Sequence, residues 1–158
     1  MKKTCKSCQK KKNILKGWTC ATCRIQSKPS YWKERAWKVC SEYNRRKDAD
    51  PFTEEGICCT CPKRLHWRNG DAGHFQGGRK NAVLFEDKGI HLQCKFCNGP
   101  GNGEQYKYGL FIERRYGIEE VKRQQALKNE TRQYTIKDYQ RIIGEYEEKL
   151  RMLASLQK

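Results

Sequence analysis

Apolar positions along this chain fall in short, separated groups whose spacing marks out helical and extended stretches. From Ser30 to about Lys47 they recur every three or four residues, at Trp32, Ala36, Val39, Cys40 and Tyr43. That period places them on one face of a helix, with Ser30 as the expected N-cap. Cys40 falls on the stripe and reads as a core thiol. Trp32 and Trp37 could stack on bases, but helical spacing favours packing. The segment Asp48 to Gly56, with Pro51 and the Glu54/Glu55 pair, reads as a linker.

The period then changes. Leu65–Trp67 with the run DAGHF, and later Ile90–Cys94, read as two short strands on either side of a loop marked by Gly77, Gly78 and Gly89. NGPGNG, residues 98–103, cannot lie inside a helix. Helices are expected from about Glu104 to Arg115, from Ile118 to Lys128, and from near Tyr134 onward. Thr135 and Asp138 resemble a capping box for the last of these. Its apolar face is Ile136, Tyr139, Ile143, Tyr146, Leu150 and Leu153. So long an amphipathic end could dock on the body or pair with a second copy to form a homodimer.

Composition limits how such elements can be held together. Of 158 residues only 36% are hydrophobic, and the mean hydropathy is −1.04. A chain this polar cannot rely on one large core and needs staples. No apolar run approaches membrane-spanning length, so no membrane span is expected. MKKTCKSCQKKK leads into no apolar segment, which argues against a secretory signal and for a reducing cytoplasm. There the ten cysteines are expected to bind zinc rather than to form disulfides.

Eight of them form four Cys-x-x-Cys pairs. Cys5 and Cys8 are followed after eleven residues by Cys20 and Cys23, a zinc ribbon or knuckle module. Cys58/Cys61 and Cys94/Cys97 make a second closed site of four thiolates; Cys59 breaks the two-residue spacing and is left out. The formal charge is +16, and residues 1–50 carry fifteen Lys/Arg against four Asp/Glu. This excess favours a nucleic-acid partner gripped through phosphates, with Lys10, Lys11, Lys12, Lys16 and Arg24 around the first site.

The second zinc site ties together the ends of a long insertion that contains His74. A structural metal clamping an exposed histidine between two short strands suggests a ββα-metal nuclease. Hydrolysing a phosphodiester needs an activated water and stabilisation of both the crowded phosphorus and the leaving oxygen. His74 suits proton abstraction near neutrality. Asp71 and the side-chain carbonyl of Asn98 are oxygen donors of the kind Mg2+ (or Mn2+) takes, and Arg79 and Lys80 in the Gly-rich loop can grip flanking phosphates. Asn81 and His91 complete the candidate set. His66, beside Trp67, reads as structural or exposed.

DAGHF, GRKNAVLF, IHLQCKFCN and GNGEQYKYGL together resemble the phage NinG/Rap recombination endonucleases, a family related to the HNH nucleases. The resemblance runs from AWKVCSEYNRRKDAD through the last helix. It implies a structure-specific DNA endonuclease acting on D-loops and Holliday junctions, a ββα-metal fold, cleavage leaving a 5′-phosphate, and a setting in the host cytoplasm. Two positions depart from the HNH pattern. An acid usually precedes the catalytic histidine, but Gly73 stands there, and Asp71 on a regular strand would point to the opposite face from His74. A bulge at Gly73 could reunite them; otherwise His91 is the first alternative as second ligand. The middle asparagine of the pattern falls on Gly89, with Asn81 as its substitute. At the last position Asn98 replaces histidine directly after Cys97.

The expected architecture is therefore α+β: a small zinc-stabilised HNH-like core with an N-terminal zinc ribbon or knuckle and flanking helices. Its parts are a zinc-binding module at 1–26, a basic amphipathic helix and linker at 27–50, the nuclease core at 51–128 and a C-terminal helix at 129–158. The competing expectation is a non-catalytic zinc-ribbon protein that binds DNA or regulates; an RNA- or protein-binding adaptor is a weaker third.

Overall fold

The computed structural model describes residues 2–12, 19–77 and 82–156. Two short strands, β1 (Lys3–Thr4) and β2 (Lys11–Lys12), pair antiparallel at the N-terminus, and α1 (Ala21–Gln26) follows with Cys20 as its N-cap. Next comes α2 (Pro29–Arg46). Its N-cap is Lys28, not Ser30, because Pro29 takes the first helical position, where the N–H that proline lacks would have had no partner anyway. Ala36 and Cys40 are fully buried on α2 as the periodicity predicts, and burial pushes the Cys40 thiol up to about 12.

The stretch read as one strand from Leu65 to Phe75 is two. β3 (Glu55–Ile57) and β4 (Arg64–His66) form one hairpin, a 3-10 turn spans Trp67–Asn69, and β5 (Asp71–His74) belongs to another sheet. The break has local causes. His66 accepts the Arg68 N–H at 3.1 Å, and Gly70 passes so close to the core that a Cβ would lie 2.5 Å from Leu92 Cδ1.

β5 pairs antiparallel with β6 (Ile90–Gln93), and a single helical turn, α3 (Lys95–Asn98), follows at once. Then come α4 (Gln105–Tyr116), α5 (Ile118–Leu127) and α6 (Ile136–Ser155), with Gly117 at φ +87° separating α4 from α5. Alternation along the β5–β6 pair sends Ala72 and Ile90 toward α2 and α6, and Gly73 and His91 toward α4.

Asp48–Gly56, expected as a linker, is fastened to the body. Ala49 bridges to Gly56, Asp48 accepts the Leu92 N–H at 3.0 Å, and Glu54 accepts the Trp67 indole N–H at 3.2 Å. The last helix has the capping box, with Thr135 and Asp138 exchanging bonds of 2.8 and 3.2 Å. Of the two roles open to α6, it docks on the body. Tyr139, Ile142, Ile143 and Tyr146 bury against Ala36 and Cys40 of α2. Burying each such side chain contributes about 1.5–3 kcal/mol against roughly 1 kcal/mol for the cap, so packing holds this helix in place. Among the described residues no helix is long and apolar enough to cross a membrane.

Candidate functional site

The sulfurs of Cys5, Cys8, Cys20 and Cys23 all lie within 4.8 Å of one another, as do those of Cys58, Cys61, Cys94 and Cys97. Tetrahedral zinc with Zn–S bonds of about 2.3 Å needs sulfurs about 3.8 Å apart; Cys61 Sγ and Cys94 Sγ are 3.9 Å apart. All eight are free thiols. In each cluster a backbone N–H points at one sulfur from 3.3 Å, Cys20 at Cys5 and Cys94 at Cys58. The Cys20 N–H is the chief cause drawing Cys5 down to about 6. Hydrogen bonding from the Cys59 thiol leads those drawing Cys58 down to about 3. Their neighbours move the other way. Cys23 is pushed up to about 12, first by its hydrogen bond with Cys20, and Cys97 to about 12, first by burial. Four sulfurs this close cannot all ionise by themselves, and a dication among them removes that repulsion. Both tetrads therefore fit zinc. Cys59 stands apart, packed with Phe75, Tyr108, Ile112 and Val121.

The second tetrad sets the geometry of the cleft beside it. Cys58 and Cys61 lie on the turn between β3 and β4, closed by a Cys58 N–H bond to Lys63 O at 2.9 Å; Cys94 caps α3 and Cys97 lies within it. Asn98, one residue after the last sulfur ligand, is the final residue of α3 and donates from Nδ2 to Asp71 Oδ2 at 3.1 Å. The two border an open cleft of about 340 Å³, lined also by Trp37, Ser41, Arg45 and Ala72. A carboxylate and an amide so joined offer two further oxygens, and that donor set fits a hard cation that keeps most of its waters. A larger hollow of about 740 Å³, walled by Phe75, Tyr106, Leu110 and Val121 with Glu113 and Asn129 among its polar residues, lies apart from both tetrads.

His74 sits at the other end of β5. Its ring stacks on Trp37, with centroids 5.0 Å apart and planes at 21°, and Nε2 lies 3.4 Å from Leu84 O. A carbonyl oxygen only accepts, so a hydrogen bond here is one that Nε2 donates. Trp37 thus covers His74 and also lines the Asp71–Asn98 cleft.

The bulge that could have turned Asp71 toward His74 is absent. The register runs unbroken from Asp71 opposite Gln93 to His74 opposite Ile90. Gly73 is glycine for another reason: a Cβ there would lie 2.2 Å from Gln93 Oε1. Gln93 is fully buried and donates to Thr60 Oγ1 at 3.0 Å and Gly103 O at 2.9 Å. Gly89 repeats the arrangement, with Gln124 Oε1 2.5 Å from where its Cβ would stand. Each of these two departures from the HNH pattern is filled by a buried glutamine amide. His91, the alternative ligand, is also placed away from the cleft. It is 0% exposed, donates from Nδ1 to Asp48 at 2.7 Å, has the Tyr116 hydroxyl 3.4 Å from Nε2, and packs edge-on to Phe111. That geometry makes it a strut between β6 and α4, not a magnesium ligand. His66 bonds Glu54 at 3.0 Å in a structural role.

Lys10, Lys11 and Arg24 are exposed around the first tetrad, and Lys12 lies in β2. Lys16, Arg79, Lys80 and Asn81 lie outside the described residues. Sequence reading missed Trp37, Ser41 and Arg45 as cleft residues. Their spacing of four on α2 was the available signal, since it defines a second helix face beside the apolar one. Tyr108 was missed as well; its hydroxyl donates to Gly73 O at 2.7 Å and pins the middle of β5.

Comparison with known proteins gives a family match over nearly the whole chain. The model described as Bacteriophage Lambda NinG protein matches residues 1–155. Protein ninG of Escherichia phage lambda is 30% identical over 132 residues, 82% of this chain and 61% of the relative. Those of Escherichia phage 933W and Salmonella phage P22 are each 29% identical over 132 residues, covering 62% of the relative. The chain thus spans about three-fifths of the length of the curated relatives it matches. No solved structure matches it.

Proposed function

The chain belongs to the NinG family of bacteriophage proteins, and on that premise we propose that it is a metal-dependent DNA endonuclease acting on branched recombination intermediates in the host cytoplasm. The observation that carries the reading is the Asp71–Asn98 pair beside the second cysteine tetrad, in a cleft whose wall includes Trp37, the residue stacked on His74. Asp71 and Asn98 would hold Mg2+ or Mn2+, which when bound supplies charge stabilisation at the phosphate and the leaving oxygen.

His74 acts as general base. Its imidazole takes a proton from the attacking water. The water oxygen bonds to phosphorus as the bond to the 3′ oxygen breaks. That oxygen leaves with a proton from solvent, and the 5′ side keeps the phosphate. The basic N-terminal module, with Lys10, Lys11, Lys12 and Arg24, holds the DNA by its backbone, and Arg79 and Lys80 add charge for phosphate contacts. The preference for Holliday junctions and D-loops comes from the family resemblance.

The test is cleavage of a labelled Holliday junction by the zinc-loaded chain with and without magnesium, beside the Asp71→Asn variant. Cleavage is expected only with the metal, and Asp71→Asn is expected to raise the magnesium requirement at least about tenfold. The second reading, a non-catalytic DNA-binding protein, draws on the plugged positions Gly73 and Gly89. Tight, salt-sensitive binding with no cleavage in any divalent metal would establish it instead.

A further inference from the structure

Arg45 differs from several other arginines in its ion pairing. Arg46 pairs with Glu42 at 3.5 Å, Arg68 with Glu54 at 2.8 Å, Arg115 with Asp48 at 2.9 Å and Arg123 with Glu86 at 2.7 Å. Arg45 makes no such ion pair among the described residues. Its Nε donates to Ser41 O at 3.1 Å and its Nη1 to Gly70 O at 3.4 Å, both neutral carbonyls. A guanidinium has five N–H donors, so most of its capacity is left over.

The group is also held in place. Its Cζ lies 5.2 Å from the centre of the Trp67 ring, and Trp67 is 6% exposed, with its indole N–H on Glu54 Oε1 at 3.2 Å. The indole attracts the guanidinium, as it does Arg46 Cζ at 5.4 Å and Arg68 Cζ at 4.5 Å, and so favours one placement of it before any ligand arrives. Arg45 is half-buried, and burial is the main influence working against its charge. It nevertheless lines the same cleft as Asp71 and Asn98. Glu42 and Asp71 favour its charge from beyond ion-pair distance, and a cation so placed beside an oxygen-donor pair suits an anion with two acceptor oxygens in one plane.

We propose that Arg45 is a phosphate-binding residue of this cleft, gripping the phosphodiester that lies against Asp71 and Asn98, with Trp67 as the platform that orients it. The assignment rests on the nuclease reading, which supplies the phosphodiester, but its test does not depend on catalysis.

Binding of a fluorescein-labelled four-way junction to the full, zinc-loaded chain is measured by anisotropy across a salt series without magnesium. Cleavage is measured in parallel with magnesium added. Arg45→Gln is expected to reduce the slope of log K against log salt by about one and to slow cleavage at least about 100-fold. Arg45→Lys is expected to restore the slope and only part of the rate, since an ammonium neither stacks flat nor forks. Zinc content and melting temperature control for folding. If Arg45→Gln folds poorly, the lysine variant decides: a wild-type rate in Arg45→Lys overturns the role of the oriented plane. Wild-type slope and rate in Arg45→Gln overturn the proposal and leave the nuclease reading intact. A lowered slope in a protein that never cleaves supports the phosphate site and sinks the nuclease reading. No binding by the wild type overturns both.

Discussion

Gly73 stands where the resemblance to HNH nucleases leads one to expect an acid, and the buried amide of Gln93 leaves no room there for a side chain. Installing the acid should therefore damage the fold and not improve the site. Gly73→Asp forces a carboxylate against Gln93 Oε1, and we expect a loss of at least about 2 kcal/mol in denaturant unfolding with no gain in magnesium affinity. A variant as stable as the parent would mean that the Gln93 side chain yields. The same close view explains what could not be read from residue order. Asp71 and Asn98 were legible as oxygen donors, but their 3.1 Å contact joins positions 27 residues apart and needed the fold. The Trp37–His74 stack is of the same kind.

Among the elements, the apolar packing of α2 on the β5–β6 pair is supplemented by one buried carboxylate. Asp48 accepts from His91 Nδ1 at 2.7 Å and the Leu92 N–H at 3.0 Å, and it lies 2.9 Å from the Arg115 guanidinium. Burial alone would raise its pKa, but the His91 hydrogen bond and the nearby positive charges outweigh this and hold it below the usual value. His91 is lowered, first by burial. Both shifts make the unfolded chain bind more protons than the folded one, so stability falls as pH falls. The His91 contribution is lost from about pH 6.5 downward, and the Asp48 contribution begins to go below about 3.9, as pH falls toward its folded value. We expect the melting temperature to drop between pH 7.5 and 5.5, and to drop less in His91→Gln; equal slopes would remove His91 from the account. Helix positions were largely legible because periodicity extends over many residues. The strands were not, since a three-residue 3-10 turn capped by His66 divides a run that alternates like one strand. Asp48–Gly56 was misread because its polar residues resemble a linker until their buried partners are known.

At the scale of the whole molecule, two cysteine tetrads that fit zinc add to three modest apolar clusters. Their ligands were legible from spacing alone; the cleft was not, because α2, β5 and α3 each contribute to it from distant parts of the chain. Metal analysis of reducing preparations should find two zinc ions per chain, one at each of the two tetrads. Cys97→Ser should lower the melting temperature and abolish cleavage together, because Asn98 follows it directly. Cys5→Ser should weaken DNA binding and leave the melting of the main body nearly unchanged. Loss of the main transition in Cys5→Ser would show that the N-terminal module is integral to the core.

The account turns on hydrolysis at His74, and single-turnover cleavage of a labelled Holliday junction, wild type beside His74→Ala, tests it most directly. With zinc loaded and magnesium present, the wild type is expected to cut, and His74→Ala to cut about 10²–10⁴-fold more slowly while binding the junction with nearly unchanged affinity. A His74→Ala protein that cuts like the wild type, or a zinc-loaded wild type that binds junctions and cuts in no divalent metal, would contradict it.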